Sequence, residues 1–249
     1  MSVAKLALAK SPMPEDRIDA TGLHYRPAAH ARGEETMRRI LDAAIEVFAA
    51  AGYEGASTRA LADRAKVNLP AIQYYFGSKE GLYRAAIGQI VAMVEDHLAP
   101  AAAQAAEALA GPRDPDRLFA ALYAVLDAFT ALVTSHRASA SHSTFISRAE
   151  IEGQAALELL HDSVTRLGVR PAMEVVARLL ERSAEDEEIL VRTLAILGQI
   201  FIFHSQCSNK SARQSMHWDE LDDRKVALIQ AIVKEHATAI LRSAMGEAP

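Results

Sequence analysis

A single cysteine, Cys207, stands among 249 residues, which excludes an intrachain disulfide and any zinc site built from a cysteine cluster. Glycine and proline are scarce, at 12 and 9 residues. Few chain breakers beside 49 alanines, the strongest helix former, argue against a mainly β protein. No stretch approaches the ~18 uninterrupted apolar residues of a membrane span. The opening run MSVAKLALAKSPMPEDRIDA is too short in its apolar part for a signal-peptide core, and acidic residues follow at once. Neither sign of charge dominates, with 27 Lys+Arg against 32 Asp+Glu and a net charge of −5. The expectation is an all-α protein of the cytoplasm.

Half of the residues are hydrophobic and 24% are charged, the balance of a chain that folds around its own core. The length corresponds to one or two domains. Residues 1–80 hold 11 basic and 10 acidic residues, a net of +1, whereas residues 81–249 hold 16 and 22, a net of −6. A polyanionic partner would therefore prefer the first third of the chain.

Residues 1–32 lack a sustained period and contain Pro12, Pro14, Gly22 and Pro27, which reads as a flexible arm. From Glu34 to Ala51 the apolar residues Met37, Ile40, Leu41, Ala44, Ile45 and Phe48 recur at steps of three and four, predicting an amphipathic helix that Gly52 ends in a left-handed cap. Ser57 caps a short helix to Ala65, and Asn68 caps another that carries Pro70 in its first turn. Gly77 breaks that helix, and Ser78 caps a long one that is expected to stop near Pro100 and to resume through residues 101–110. Further helices are predicted over 114–133, 145–167, 171–183, 185–206 and 220–244, with Ser135–Thr144 as a polar loop.

Two short helices joined by a three-residue turn, under a longer first helix, make a helix-turn-helix. Ala60, Leu61, Ala65, Val67 and Ile72 would brace it, leaving Asn68, Gln73, Tyr74 and Tyr75 as polar tips for base edges in a major groove. Thr58 and Lys79 stand at helix starts, where phosphates are held. Phe76 reads as core. Tyr74 and Tyr75 read either as core aromatics or as phosphate contacts, and Arg39 and Arg59 either as solvated helix charges or as DNA contacts. Arg64 is expected to pair within its own helix.

The stretches TMRRILDAAIEVF (36–48), Gly52-Tyr53, STRALADRA (57–65) and VNLPAIQYYFGSKEGLY (67–83) together resemble the DNA-binding domain of TetR-family transcriptional regulators over about 50 residues. The family most often has tyrosine where Gln73 stands, but an amide there is common in the CecR-like branch. The C-terminal part also resembles that branch, around Phe145–Leu167 and in LGQIFIF (197–203). The resemblance implies an N-terminal three-helix DNA-binding domain at 33–80 and a helical ligand-binding and dimerisation domain at 81–249. It implies phosphate contacts from Thr36, Thr58, Tyr74, Tyr75 and Lys79. Asn68, Leu69, Pro70 and Gln73 would face the groove floor, with Gln73 suited to bidentate pairing with adenine. The implied partners are double-stranded operator DNA, a second copy of the chain and a small-molecule effector whose binding releases the operator.

Enzyme chemistry finds no support. Cys207 has no adjacent base, and the chain holds neither a Gly-rich phosphate loop nor a GxSxG elbow. No HxxxH or HExxH spacing occurs among the nine histidines, so neither a metal nor another cofactor is expected. An effector pocket is expected from Phe119, Tyr123, Phe129, Phe145, Arg148, Phe201 and His204, aromatics mixed with isolated polar groups, with Ser135–Thr144 as its gate. The long apolar faces of the last two helices, Leu190, Leu194, Leu197, Ile200, Phe201 and Phe203 on one and Leu221, Leu228, Ile229, Ile232, Val233 and Ile240 on the other, suit a four-helix bundle between two copies. The alternative is that they only close the chain's own core. A DNA binder without any ligand stays open as the alternative.

Overall fold

The computed structural model describes residues 27–134, 140–153, 155–208 and 222–246. Every regular element among them is helical: α1 (Pro27–Gly55), α2 (Thr58–Ala65), α3 (Leu69–Phe76), α4 (Lys79–Ala110), α5 (Pro115–Thr134), α6 (Ala140–Ile151), α7 (Glu158–Val164), α8 (Arg170–Leu180), α9 (Glu187–Ser208) and α10 (Asp223–Ala244). A single 3-10 turn, Ala155–Leu157, precedes α7, and a wide π turn, Thr165–Val169, follows it. The chain divides into two compact units, Met1–Ala92 with Thr144–Leu157, and Met93–Ser143 with Glu158–Pro249.

In the first unit α1 buries Ile40, Ala44, Ile45 and Phe48 at helical spacing. Leu61, Ala62 and Ala65 of α2, Ile72 of α3, and Leu82, Tyr83, Ala86, Ile87 and Ile90 of α4 are buried with them. Phe145 of α6 is stacked on Phe48 at 5.9 Å and meets Tyr83 edge-on at 5.1 Å. Through these contacts the first turns of α4 and the segment around Phe145 complete the aromatic core of the unit.

In the second unit α5 is packed by α8, α9 and α10. By length and composition alone it could cross a bilayer. Ten of its residues, Leu118 to Val133, are instead buried in this unit. Gly168 in the π turn lies against Phe129 so closely that a methyl group there would overlap its ring. Helix α10 buries Ile229, Val233, Ala237 and Leu241, one residue per turn.

Several sequence expectations need correction. Helix α1 begins at Pro27, inside the segment read as an arm, because a first-turn proline and Ala28, Ala29 and Ala31 favour helix; residues 1–26 lie outside the described residues. Gly52 has φ 73° and ψ 177°, a glycine conformation that breaks α1 without forming a left-handed cap. Helix α4 continues through Pro100 at the cost of a backbone bond, with Leu98, Ala101, Ala105 and Ala108 buried on either side of the proline. Ala140–Thr144, read as part of a loop, is already helical in α6, and residues 135–139 lie outside the described residues. The helix expected over 145–167 is interrupted after Ile151, where Gly153 takes φ 64°.

Candidate nucleic-acid interface

Three hydroxyl and amide caps delimit the two short helices. The Ala60 N–H donates to Ser57 Oγ at 3.1 Å, the Ala71 N–H to Asn68 Oδ1 at 3.1 Å, and the Gly81 N–H to Ser78 Oγ at 3.0 Å. Between α2 and α3, Lys66 takes a left-handed conformation (φ 54°, ψ 45°) that turns the chain after Ala65. Ile72, 2% exposed, anchors α3 inward.

The opposite side of α3 is open. Asn68, Leu69, Pro70, Gln73 and Tyr74 are all exposed, Leu69 at 49% and Tyr74 at 76%. Tyr75 and Phe76 are half-buried, and the Tyr75 ring stands edge-on to Tyr74 at 5.1 Å. Tyr74 is therefore not a core aromatic, and Phe76 is only partly one. Ala60, expected as bracing, is exposed because its position at the start of α2 faces away from α1.

Basic residues around α3 are tied to the fold. Arg39 Nε donates to the Ala65 carbonyl at 3.1 Å, joining α1 to the end of α2. Arg64 pairs with Glu46 of α1, not within its own helix, because α2 packs directly on α1. Lys79 donates to the Glu54 carbonyl at 3.4 Å, and its ammonium lies 4.5 Å from the centre of the Tyr53 ring. Arg59 is exposed at the first turn of α2, with Thr58 half-buried beside it, and Thr36 is half-buried on α1.

Sequence reasoning missed the group behind Lys79. The Tyr53 ring meets Tyr83 edge-on at 5.1 Å and stacks on Phe48 at 6.2 Å, while the Tyr53 N–H donates to Glu152 Oε2 at 3.1 Å. Burial pushes the Tyr83 phenol up to about 12, helped by the negative charge of Glu152 and by Tyr53. Nothing local marks Glu152, ninety-nine positions from Tyr53.

The residues expected to line an effector pocket are divided between the two units. Phe145 and Arg148 belong to the first unit, where Phe145 is spent on Phe48 and Tyr83 and Arg148 closes over Gly52. Phe119, Tyr123, Phe129 and Phe201 belong to the second. There Phe129 meets Phe201 edge-on at 5.8 Å, and Phe119 lies 6.0 Å from Tyr123. The Tyr123 hydroxyl is 2.5 Å from Thr238 Oγ1. The side chain of His204 lies outside the described residues. A groove of about 450 Å³ in the second unit is lined by Pro100, Gln104, Glu107, Arg117 and Ala120, among others, and by none of the seven. Among the described residues no cluster of His, Cys, Asp or Glu could hold a metal ion.

Comparison with known proteins identifies this arrangement. Residues 40–86 match the family model of bacterial regulatory proteins of the tetR family, and residues 119–244 match the C-terminal domain of the HTH-type transcriptional dual regulator CecR. The chain belongs to the TetR family, in its CecR-like branch. The HTH-type transcriptional dual regulator CecR of Shigella flexneri is 30% identical over 222 residues, covering 87% of this chain and 96% of that protein. The A-factor receptor protein of Streptomyces griseus is 40% identical over 68 residues, 27% of this chain and 25% of that protein. A TetR-like transcriptional regulator from Rhodococcus sp. RHA1 shares the fold, with a TM-score of 0.55 at 20% identity over 82% of this chain and 96% of that one. The protein is a TetR-family transcriptional regulator, and its relatives are regulators, not enzymes.

Proposed function

We propose that this TetR-family regulator works in the cytoplasm as a homodimer on double-stranded operator DNA, acting as a repressor that lets go when a small molecule binds its C-terminal domain. The observation that supports the reading best is the exposed row Asn68, Leu69, Pro70, Gln73 and Tyr74 on a helix whose inward side is anchored by Ile72. A slim helix with polar tips on one side fits a major groove. Gln73 reads a base. Tyr74, Tyr75, Lys79, Thr36, Thr58 and Arg59 meet phosphates, with Arg39 close behind them through its bond to Ala65.

One such helix covers too little DNA for operator selectivity, and a two-fold axis doubles the readout. Helices α9 and α10 each carry a second apolar face besides the buried one. Val191, Leu194, Phe201 and Ile202 are exposed on α9, and Leu228, Ile232 and Ile240 on α10. Ala195 and Gly198 lie exposed among the α9 residues, and small side chains there allow close helix–helix approach. A bundle of α9 and α10 with their symmetry mates would cover all of these.

The effector reading rests on Phe119, Tyr123, Phe129 and Phe201 of the second unit. A ligand that prefers a conformer poorly spaced for DNA lowers operator affinity by its differential affinity for the two states, commonly ~1–3 kcal/mol. The deciding experiment is footprinting of the protein on its own upstream region and neighbouring promoters at low salt, with transcription followed in both directions because the Shigella relative is named a dual regulator. A protected pseudo-palindrome supports the reading; no protection anywhere refutes it.

A further inference from the structure

Lys79 does not extend freely from the start of α4. Its ammonium rests on the Tyr53 ring, 4.5 Å from the ring centre, and reaches the Glu54 carbonyl at 3.4 Å. Both groups lie in the last residues of α1, where Gly52, with φ 73° and ψ 177°, bends the chain into an elbow ahead of α2. That conformation interrupts the helical bonding that would otherwise hold the elbow rigid. Glu152 of the first unit supplies a bond from outside, accepting the Tyr53 N–H at Oε2 over 3.1 Å. Its other carboxylate oxygen and the Arg148 guanidinium close over the Cα of Gly52, so that a methyl group at position 52 would collide with them. Phe145, one helical face away on α6, is stacked on Phe48 behind the same elbow.

We propose that Glu152 is a positioning residue for DNA binding: by holding the Tyr53 N–H it fixes the elbow on which Lys79 rests, and thereby presents the Lys79 ammonium to a backbone phosphate. The proposal rests on the reading of Lys79 as a phosphate contact. A carboxylate accepting a backbone N–H makes a charge-assisted bond, stronger than a neutral one. A lysine side chain has much rotamer freedom to lose on binding, and an aromatic face that already holds it lowers that loss. The 3.4 Å contact to the Glu54 carbonyl is long, so an arriving phosphate exchanges for it at little cost. Removing an acidic group near DNA would by simple charge counting tighten binding. A positioning role predicts the reverse, and the two are separable.

The test uses the full-length chain and a duplex enriched on the wild-type protein from a random-sequence pool. Glu152→Ala is expected to weaken binding about fivefold, as loss of an ordered cation contact would, and to flatten the salt dependence of the binding constant. Glu152→Gln, whose amide oxygen still accepts the Tyr53 N–H, is expected to restore most of the affinity. In a Lys79→Ala background the Glu152→Ala change should have no further effect. Equal or tighter binding by Glu152→Ala overturns the proposal, provided that Lys79→Ala is weakened. So does a Glu152→Ala loss of equal size with and without Lys79. If Lys79→Ala binds as the wild type does, the phosphate reading of Lys79 itself fails, and the positioning role falls with it. Glu152 is exposed, so thermal unfolding of its variants should match the wild type and exclude a folding defect.

Discussion

The Nε of Arg39 on α1 donates to the carbonyl of Ala65 at the last turn of α2, 3.1 Å away. An arginine that the sequence offers equally as a DNA contact is thus spent, in part, on the docking of α2. Arg39→Ala is expected to destabilise the first unit by about 1 kcal/mol, the usual net worth of such a bond, and to weaken DNA of every sequence alike. Denaturant unfolding alongside DNA titration measures both. Unchanged stability with weakened DNA binding would make Arg39 a pure DNA contact.

Gln73 and Lys79 should separate by what they read. Gln73→Ala is expected to relax preference at one base pair per half-site, worth ~1–3 kcal/mol. Lys79→Ala should weaken all sequences and lower the salt slope of log K by about 0.9. Binding to a mutagenised operator panel at several salt concentrations distinguishes the two.

Two isoleucines of α10 differ sharply in exposure. Ile229 is 3% exposed in the chain's own core, while Ile232, three residues on, is 41% exposed. Ile232→Asp should give a folded monomer that no longer binds operator, whereas Ile229→Asp should unfold the second unit by burying a charge. Sedimentation and circular dichroism report the two outcomes. A wild-type chain that sediments as a monomer at micromolar concentration rules the bundle out.

Tyr83 sets an alkaline limit. Its phenol titrates at about 12 in the folded chain, against about 10 when unfolded. The unfolded state therefore loses its proton first. Stability is intact below pH 10 and falls as pH rises from 10 towards 12. Tyr83→Phe should flatten that fall, as thermal unfolding across the range will show. Absorbance titration should find this tyrosine among the last to ionise.

The helix-turn-helix is legible in sequence because its punctuation is local: Ser57, Asn68 and Ser78 each cap a helix that starts at the next residue. The same local reasoning fails at Pro100, where burial on both sides of the proline overrides its tendency to break the helix. It fails again for Arg64 and Glu152, whose partners Glu46 and Tyr53 are chosen by packing between elements, neighbouring helices in the first case and segments ninety-nine positions apart in the second. The aromatic partners of Phe145 are likewise not legible, because they lie about sixty and a hundred residues away in the chain. In the fold Phe145 closes the cluster of Phe48 and Tyr83.

Asn68 illustrates how a cap constrains recognition. Its side-chain oxygen already accepts the Ala71 N–H, which leaves the amide nitrogen with both of its N–H groups, and one lone pair of the oxygen, for other partners. On the proposed interface Asn68 would thus speak to DNA chiefly as a donor, to purine N7, guanine O6, thymine O4 or a phosphate oxygen. Replacement by aspartate would keep the helix start while reversing that vocabulary.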